Sequence, residues 1–166
     1  MPKQRRNNFK RQGEMAQLFF RAIAAAAGLQ ILDPYGDSAP YDVAVENRSG
    51  HILKIQVKST TRPRKGSASF RVELIGPNSK PYTHRQIDFV AVFLVSARVW
   101  YIFPFAAIRR GRYTRRYLQI HHFSTKHNQW LPYKNALHLL SQSPKHAESK
   151  TIQHLTLKIK QLKADS

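Results

Sequence analysis

Asp42, Gln56 and Lys58 are the residues whose types and spacing could do chemistry. The chain carries only nine Asp and Glu among 166 residues, so the position of each acid is informative. Asp42 opens a strand-like run after the loop Tyr35 to Tyr41. The following run, His51 to Ser59 (HILKIQVKS), carries Gln56 and Lys58. Strand side chains alternate, which puts these two on one face, about 7 Å apart. The run YDVAVE ends at the turn signal Asn47-Arg-Ser-Gly50, so a hairpin of ordinary register brings Asp42 beside them. A carboxylate oxygen, an amide oxygen and a backbone carbonyl, for which Val57 is the candidate, suit a hard divalent ion such as Mg2+, with Mn2+ as the alternative. Such an ion could bind a phosphate oxygen and acidify a water. Lys58 could position that water or offset charge at phosphorus. A solvated polar strand face is the competing reading of the short pattern.

Around this group the chain is strongly basic. Lys and Arg number 28, for a formal charge of +19. A compact domain of that charge calls for an anionic partner, and nucleic acid is the usual one. Binding should weaken steeply with salt, because each neutralised phosphate releases counterions. Three clusters carry the charge. Arg5, Arg6, Lys10 and Arg11 form a basic arm over residues 1–11. Arg62, Arg64 and Lys65 follow the IQVKS strand, where Ser59 and Thr60 could also bind phosphate. Arg109, Arg110, Arg112, Arg115 and Arg116 are interleaved with Tyr113 and Tyr117. A solvated loop is the bland reading of each alone. Together they favour double-stranded DNA, with phosphate contacts fixing position.

The elements that must position these residues follow from periodicity. Met15, Leu18, Phe19, Ala22 and Ile23 predict a helix from Gln12 to Ala27, stopped at Gly28. Strands are expected at Tyr41 to Glu46, His51 to Ser59, Ala68 to Ile75, Ile87 to Val95 and Val99 to Phe103. The fourth is nearly all apolar, as in a strand covered on both faces. Phe105 to Ile108 reads as a helical turn, Arg109 to Tyr117 as a loop, Leu118 to Phe123 as a short strand and Tyr133 to Leu140 as a helix. Ile152, Leu155, Ile159 and Leu162 predict a further helix over Thr151 to Lys163. The expected organisation is a basic arm over 1–11, one domain over 12–143 and a helical extension over 144–166. The fold class is α/β or α+β with a mixed sheet.

Other chemistries are excluded or disfavoured. With no cysteine, zinc-thiolate sites, disulfides and cysteine nucleophiles are absent. The eight histidines show no zinc-finger spacing, and no nucleophile elbow or phosphate loop is present. Glu73 could be an extra metal or water ligand, with a structural pair with Arg71 the favoured reading; Asp37 reads as a turn residue, and Asp88 as a holder of Arg85 or a backbone amide rather than a metal ligand. No apolar run is long enough to span a membrane, and no small-molecule cofactor is implied. A soluble, cytoplasmic protein of bacterial type is the expectation.

The pieces Gly13-Glu14, Ala39-Pro40-Tyr41-Asp42 and Gln56-Val57-Lys58 resemble the PD-(D/E)XK nuclease superfamily. More locally GDSAPYD, IQVKS, YTHRQIDFVAVF and WYIFP resemble group I intron homing endonucleases, and the fold is similar to that of archaeal Holliday junction resolvases. The resemblance covers roughly Gly13 to Pro104. It implies a restriction-endonuclease-like αβββαβ core with helices flanking a mixed sheet. It also implies Mg2+-dependent DNA cleavage and a homodimer or homotetramer. Asp42 matches the metal-binding aspartate, Lys58 the catalytic lysine and Glu14 the helix glutamate that assists the metal. Gln56 stands where an acid is usual, as in the Mrr-like and intron-type branches. That substitution removes one negative charge and implies weaker metal affinity and a larger share for Glu14. A Holliday junction resolvase and a non-catalytic DNA- or RNA-binding protein are the rival readings.

Overall fold

A computed structural model describes residues 3–142 apart from 37, 64, 67, 68, 77, 78, 125 and 127, with side chains from Asn8 onward. The expected C-terminal helical extension, Arg64, Asp37 and His127 lie outside the described residues, as do the side chains of Arg5 and Arg6.

Helix α1 spans Lys3–Ala26. It begins nine residues before the expected Gln12, so residues 3–11 extend the helix rather than form a separate arm. Lys, Arg and Gln are good helix formers, so this stretch can be helical without an apolar period. Ala16, Phe20 and Ala24, one face of the helix, are buried. Gly28, at φ +79, ends the helix in the left-handed region that favours glycine.

Five strands form the main sheet: β1 (Gln30–Leu32), β2 (Val43–Glu46), β3 (Ile52–Thr60), β5 (Phe89–Leu94) and β6 (Val99–Pro104), in the order β1-β2-β3-β5-β6. The β1/β2, β2/β3 and β5/β6 pairs are antiparallel and β3/β5 is parallel. This is the expected mixed sheet of a restriction-endonuclease-like fold. All six residues of β5 are buried, as its apolar run requires. The helix of the expected αβββαβ core that should join the parallel strands is not seen among the described residues. That crossover instead contains β4 (Phe70–Glu73), which leaves the main sheet to pair with β9 (Tyr117–Ile120). The expected antiparallel meander therefore ends at β3.

Residues of β6 alternate between two layers. Trp100 meets Phe20 of α1 (centroids 5.7 Å) and stacks on Phe93 (4.8 Å). On the opposite face Phe103 meets Trp130 at 5.5 Å and Tyr133 at 5.3 Å. Trp100, Tyr101 and Phe103 are thus core residues. After α2 (Phe105–Ile108), β7 (Arg109–Arg110) and β8 (Tyr113–Thr114) pair as a small hairpin within the expected basic loop. The expected helix at Tyr133 to Leu140 is two short 3-10 turns, Leu131–Tyr133 and Leu137–Ser141. Pro132 and the left-handed Asn135 (φ 50) interrupt any longer helix. No helix among the described residues is long and apolar enough to cross a membrane.

Candidate nuclease site

The site arises where β2 stops short. The β2/β3 ladder runs from Glu46↔Ile52 to Val43↔Ile55, and the Asp42 amide adds one more bond, to the Ile55 carbonyl (3.0 Å). Pro40 and Tyr41 then carry the chain away. On its other edge β3 continues against β5 through Gln56↔Val90, Val57↔Ala91 and Lys58↔Val92. One edge of Gln56-Val57-Lys58 is thereby left without a strand, and the Asp42 side chain fills the gap. Its Oδ2 accepts the Val57 amide at 2.7 Å and the Gln56 side-chain amide. The N–H and C=O of one strand residue point to the same edge, so the Val57 carbonyl also faces this gap. The Gln56 Nε2 lies 3.4 Å from it.

The hairpin register thus brings Asp42, Gln56 and Val57 together as expected, with Lys58 beside them. Gln56 is buried. Burial pushes the Asp42 carboxyl above its ordinary value, although the Val57 amide, Lys58, Arg21 and Gln56 all oppose the rise. Burial likewise lowers the Lys58 ammonium, against the charges of Asp42 and Glu73. Lys58 Nζ approaches the Ile75 carbonyl at 3.4 Å and lies 5.5 Å from the Tyr82 ring centroid. Burial, and then the Asp42 charge, raise the Tyr82 phenol.

Glu14 is placed differently. Gln12 of α1 donates to Ser59 Oγ (3.0 Å) and accepts from Thr61 Oγ1 (2.5 Å). The helix therefore covers the odd-numbered face of β3, opposite Gln56 and Lys58. Glu14 is exposed and pairs with Lys10 at 3.8 Å. The helix residues that line a recess with Asp42 are Gln17 and Arg21. Arg21 pairs with Asp33 (2.7 Å) and donates to the Asp42 backbone carbonyl (3.2 Å), tying down the loop that delivers Asp42.

Sequence reasoning missed Arg21 and Tyr82. An arginine inside the apolar helical run LFFRAIAAAA was a legible signal for the first. Tyr82 had only Gly76 and Pro81 near it in sequence, which mark turns. Asp88 accepts the Lys54 backbone amide (2.8 Å) and Glu73 pairs with Arg71 (4.0 Å), as those two readings expected; Lys10, Arg11, Arg62 and Lys65 are exposed. Ser59 is engaged by Gln12, and the Thr60 carbonyl by the Val95 amide (2.9 Å).

The basic hairpin lies against the wall that holds Lys58. Tyr82 and Thr114 exchange bonds (2.8 and 3.2 Å), and the Leu74 amide bonds the Arg116 carbonyl (2.8 Å). Arg110, Tyr113, Arg115, Arg116 and Tyr117 line an open recess of about 590 Å³. Arg109, Arg110, Arg112, Arg115 and Arg116 are all exposed, with Arg112 over Tyr113 and Arg115 over Trp130.

The residues present fit a hard cation in donor type. The donors are a carboxylate, a backbone carbonyl and a side-chain amide, all oxygen donors once the amide presents its oxygen. Burial leaves the carboxylate short of compensating charge, which a cation would supply. Gln56 now turns its nitrogen to Asp42, so its oxygen can serve only after a half-turn of the amide. Among the described residues no three His, Asp or Glu side chains cluster as a ready-made metal site, and Asp42 is the carboxylate seated at the strand edge.

Such a strand, edge carboxylate and lysine define a nuclease-type centre. The chain belongs to the PD-(D/E)XK endonuclease family, whose family model matches residues 7–140. Among solved structures it is similar in fold to a bacterial homing endonuclease, I-Ssp6803I. The TM-score is 0.65 at 24% identity, over 85% of this chain and 96% of that one. No match was found among curated proteins.

Proposed function

We propose that this protein is a divalent-metal-dependent DNA endonuclease acting as a site-specific homing enzyme. The observation that carries the reading is the Asp42 carboxylate seated at the open edge of β3, on the Val57 amide and beside Lys58. Asp42, the Val57 carbonyl and the Gln56 amide oxygen would hold Mg2+ or Mn2+, which when bound supplies positive charge to a phosphate oxygen and acidifies a water. Lys58 donates toward the phosphate or the attacking water and offsets charge developing at phosphorus. Arg62 and Lys65 beyond β3, and the β7–β8 arginines beside Tyr82, hold the backbone of the duplex on either side. Glu14 lies on the helix face of Gln17 and Arg21, which line the recess at Asp42, and would have to leave Lys10 to contribute. With one site per chain, cutting both strands takes two copies, and a homodimer or homotetramer suits a two-fold target.

The test is incubation with a random-sequence duplex library and with a four-way junction, in Mg2+, Mn2+ or EDTA, followed by sequencing of the cut ends. The reading expects recurrent cut sites in the linear library, lost in EDTA. Preferred cutting of the junction would make the protein a resolvase. Binding without cutting under any ion would make it a non-catalytic DNA-binding protein.

Gln56→Glu tests the ligand assignment. A second carboxylate at the cation should tighten Mg2+ binding on the order of tenfold in calorimetry. Two adjacent carboxylates without a cation repel, so the same variant should melt lower in EDTA. Unchanged Mg2+ affinity would place Gln56 outside the ligand set.

A further inference from the structure

Lysine has four rotatable side-chain bonds, and holding its amine in one place costs rotamer entropy. Lys58 is nevertheless half-buried, with its amine turned to a defined wall of the fold. Three features converge on it. The Ile75 carbonyl lies 3.4 Å from Nζ. The Tyr82 hydroxyl donates to that same carbonyl at 3.2 Å. The Tyr82 ring itself lies 5.5 Å from Nζ, within cation–π range. A carbonyl has two lone pairs, so it can accept the phenol and the ammonium together.

The ring is in turn immobile. Tyr82 is 3% exposed. The backbone at Gly76 lies flat against it: a Cβ there would stand 2.6 Å from the ring. The Ile75↔Pro81 bridge and the Gly76 amide bond to the Lys80 carbonyl (2.8 Å) close the turn over the ring. From the far side Thr114 bonds both the amide and the carbonyl of Tyr82.

We propose that Tyr82 is a positioning residue, whose ring face and hydroxyl-anchored Ile75 carbonyl together hold the Lys58 ammonium in one place within the site. The role rests on the nuclease reading for its consequence in cutting, but not for its geometry. A tyrosine that merely filled the core would fix neither the carbonyl nor the amine. Gly76 serves the same device, since only a residue without a side chain lets the Ile75 carbonyl approach from this direction.

The experiment compares wild type, Tyr82→Phe and Tyr82→Leu as full chains with two readouts. The first is acetylation of Lys58 in the metal-free protein, mapped by peptide mass spectrometry with exposed Lys10 as internal reference. Release of the amine should speed Lys58 modification about tenfold in Tyr82→Leu and about threefold in Tyr82→Phe. The second is single-turnover cutting of a duplex found in the library screen. It should slow about 10- to 100-fold in Tyr82→Leu with DNA affinity in Ca2+ within about twofold of wild type. Tyr82→Phe, which keeps the ring, should recover most of the rate. Unchanged Lys58 modification in a folded Tyr82→Leu variant overturns the proposal. A rate that falls only in step with DNA affinity or with the folded fraction overturns it as well. Should Tyr82→Leu fail to fold by circular dichroism, Tyr82→Phe decides: Lys58 reactivity equal to wild type rejects the role. A wild type that cuts nothing in any ion would sink the nuclease reading, while the acetylation result would still decide whether Tyr82 holds Lys58.

Discussion

Asp42→Asn removes divalent-dependent cutting by about a thousandfold or more, yet leaves the metal-free fold at least as stable as wild type. The two halves of this result have one cause. The carboxylate is buried with too little compensating charge, so its carboxyl sits above its ordinary value. The folded protein then binds a proton at Asp42 that the unfolded chain has already released. In that window stability falls as pH rises. The cost is absent below the unfolded value of about 3.9 and fully present above the raised folded value. Asparagine carries no charge to desolvate, and its Oδ1 can still accept the Val57 amide that now bonds Oδ2 at 2.7 Å. The melting temperature of the variant in EDTA should therefore match or exceed wild type at neutral pH, and its dependence on acidic pH should flatten. Saturating Mg2+ should raise the melting temperature of wild type but not of the variant. A variant that melts well below wild type in EDTA would mean that Asp42 is a structural bond first.

The centre of this site was legible because it is local. Strand alternation puts Gln56 and Lys58 on one face, and the Asn47 to Gly50 turn sets the hairpin register that brings Asp42 to them. The β5 run was legible for the same reason: its apolar signal is complete within six residues. What failed was non-local. The partner of β4 is β9, about fifty residues on, and nothing in FRVE says that it leaves the main sheet. Strand β1 has three residues, too few for a period to show. Tyr82 and Ile75 reach Lys58 only because a turn outside any regular strand folds back across β3.

Glu14 keeps the place in the helix that the superfamily pattern gives it, three and seven residues before the Gln17 and Arg21 that line the recess at Asp42. Its carboxylate meets Lys10 in solvent. The phosphate of bound DNA brings a further anion to the cation, which should bind markedly more tightly with DNA present than without.

Lys58→Met should slow cutting by about a hundred- to a thousandfold while leaving Mg2+ affinity equal or tighter. The ammonium and a cation at Asp42 carry the same sign, so Lys58 works against the metal as well as beside it. Its removal deprives the Asp42 carboxylate of one stabilising charge, which moves that carboxyl further up and lets protons compete with Mg2+ to a higher pH. It also removes a repulsive charge from the cation itself. Above the Asp42 transition only the second effect remains, and affinity rises; in acid the first prevails, and affinity falls more steeply than in wild type. Calorimetry across that range, paired with single-turnover rates, separates the two. Methionine has an apolar stem of similar length and needs no desolvation, so the fold should hold. Loss of rate with retained metal binding would assign Lys58 to the phosphate or the attacking water. Joint loss of rate and Mg2+ affinity at alkaline pH would instead make Lys58 the strut that keeps Asp42 and Gln56 in place.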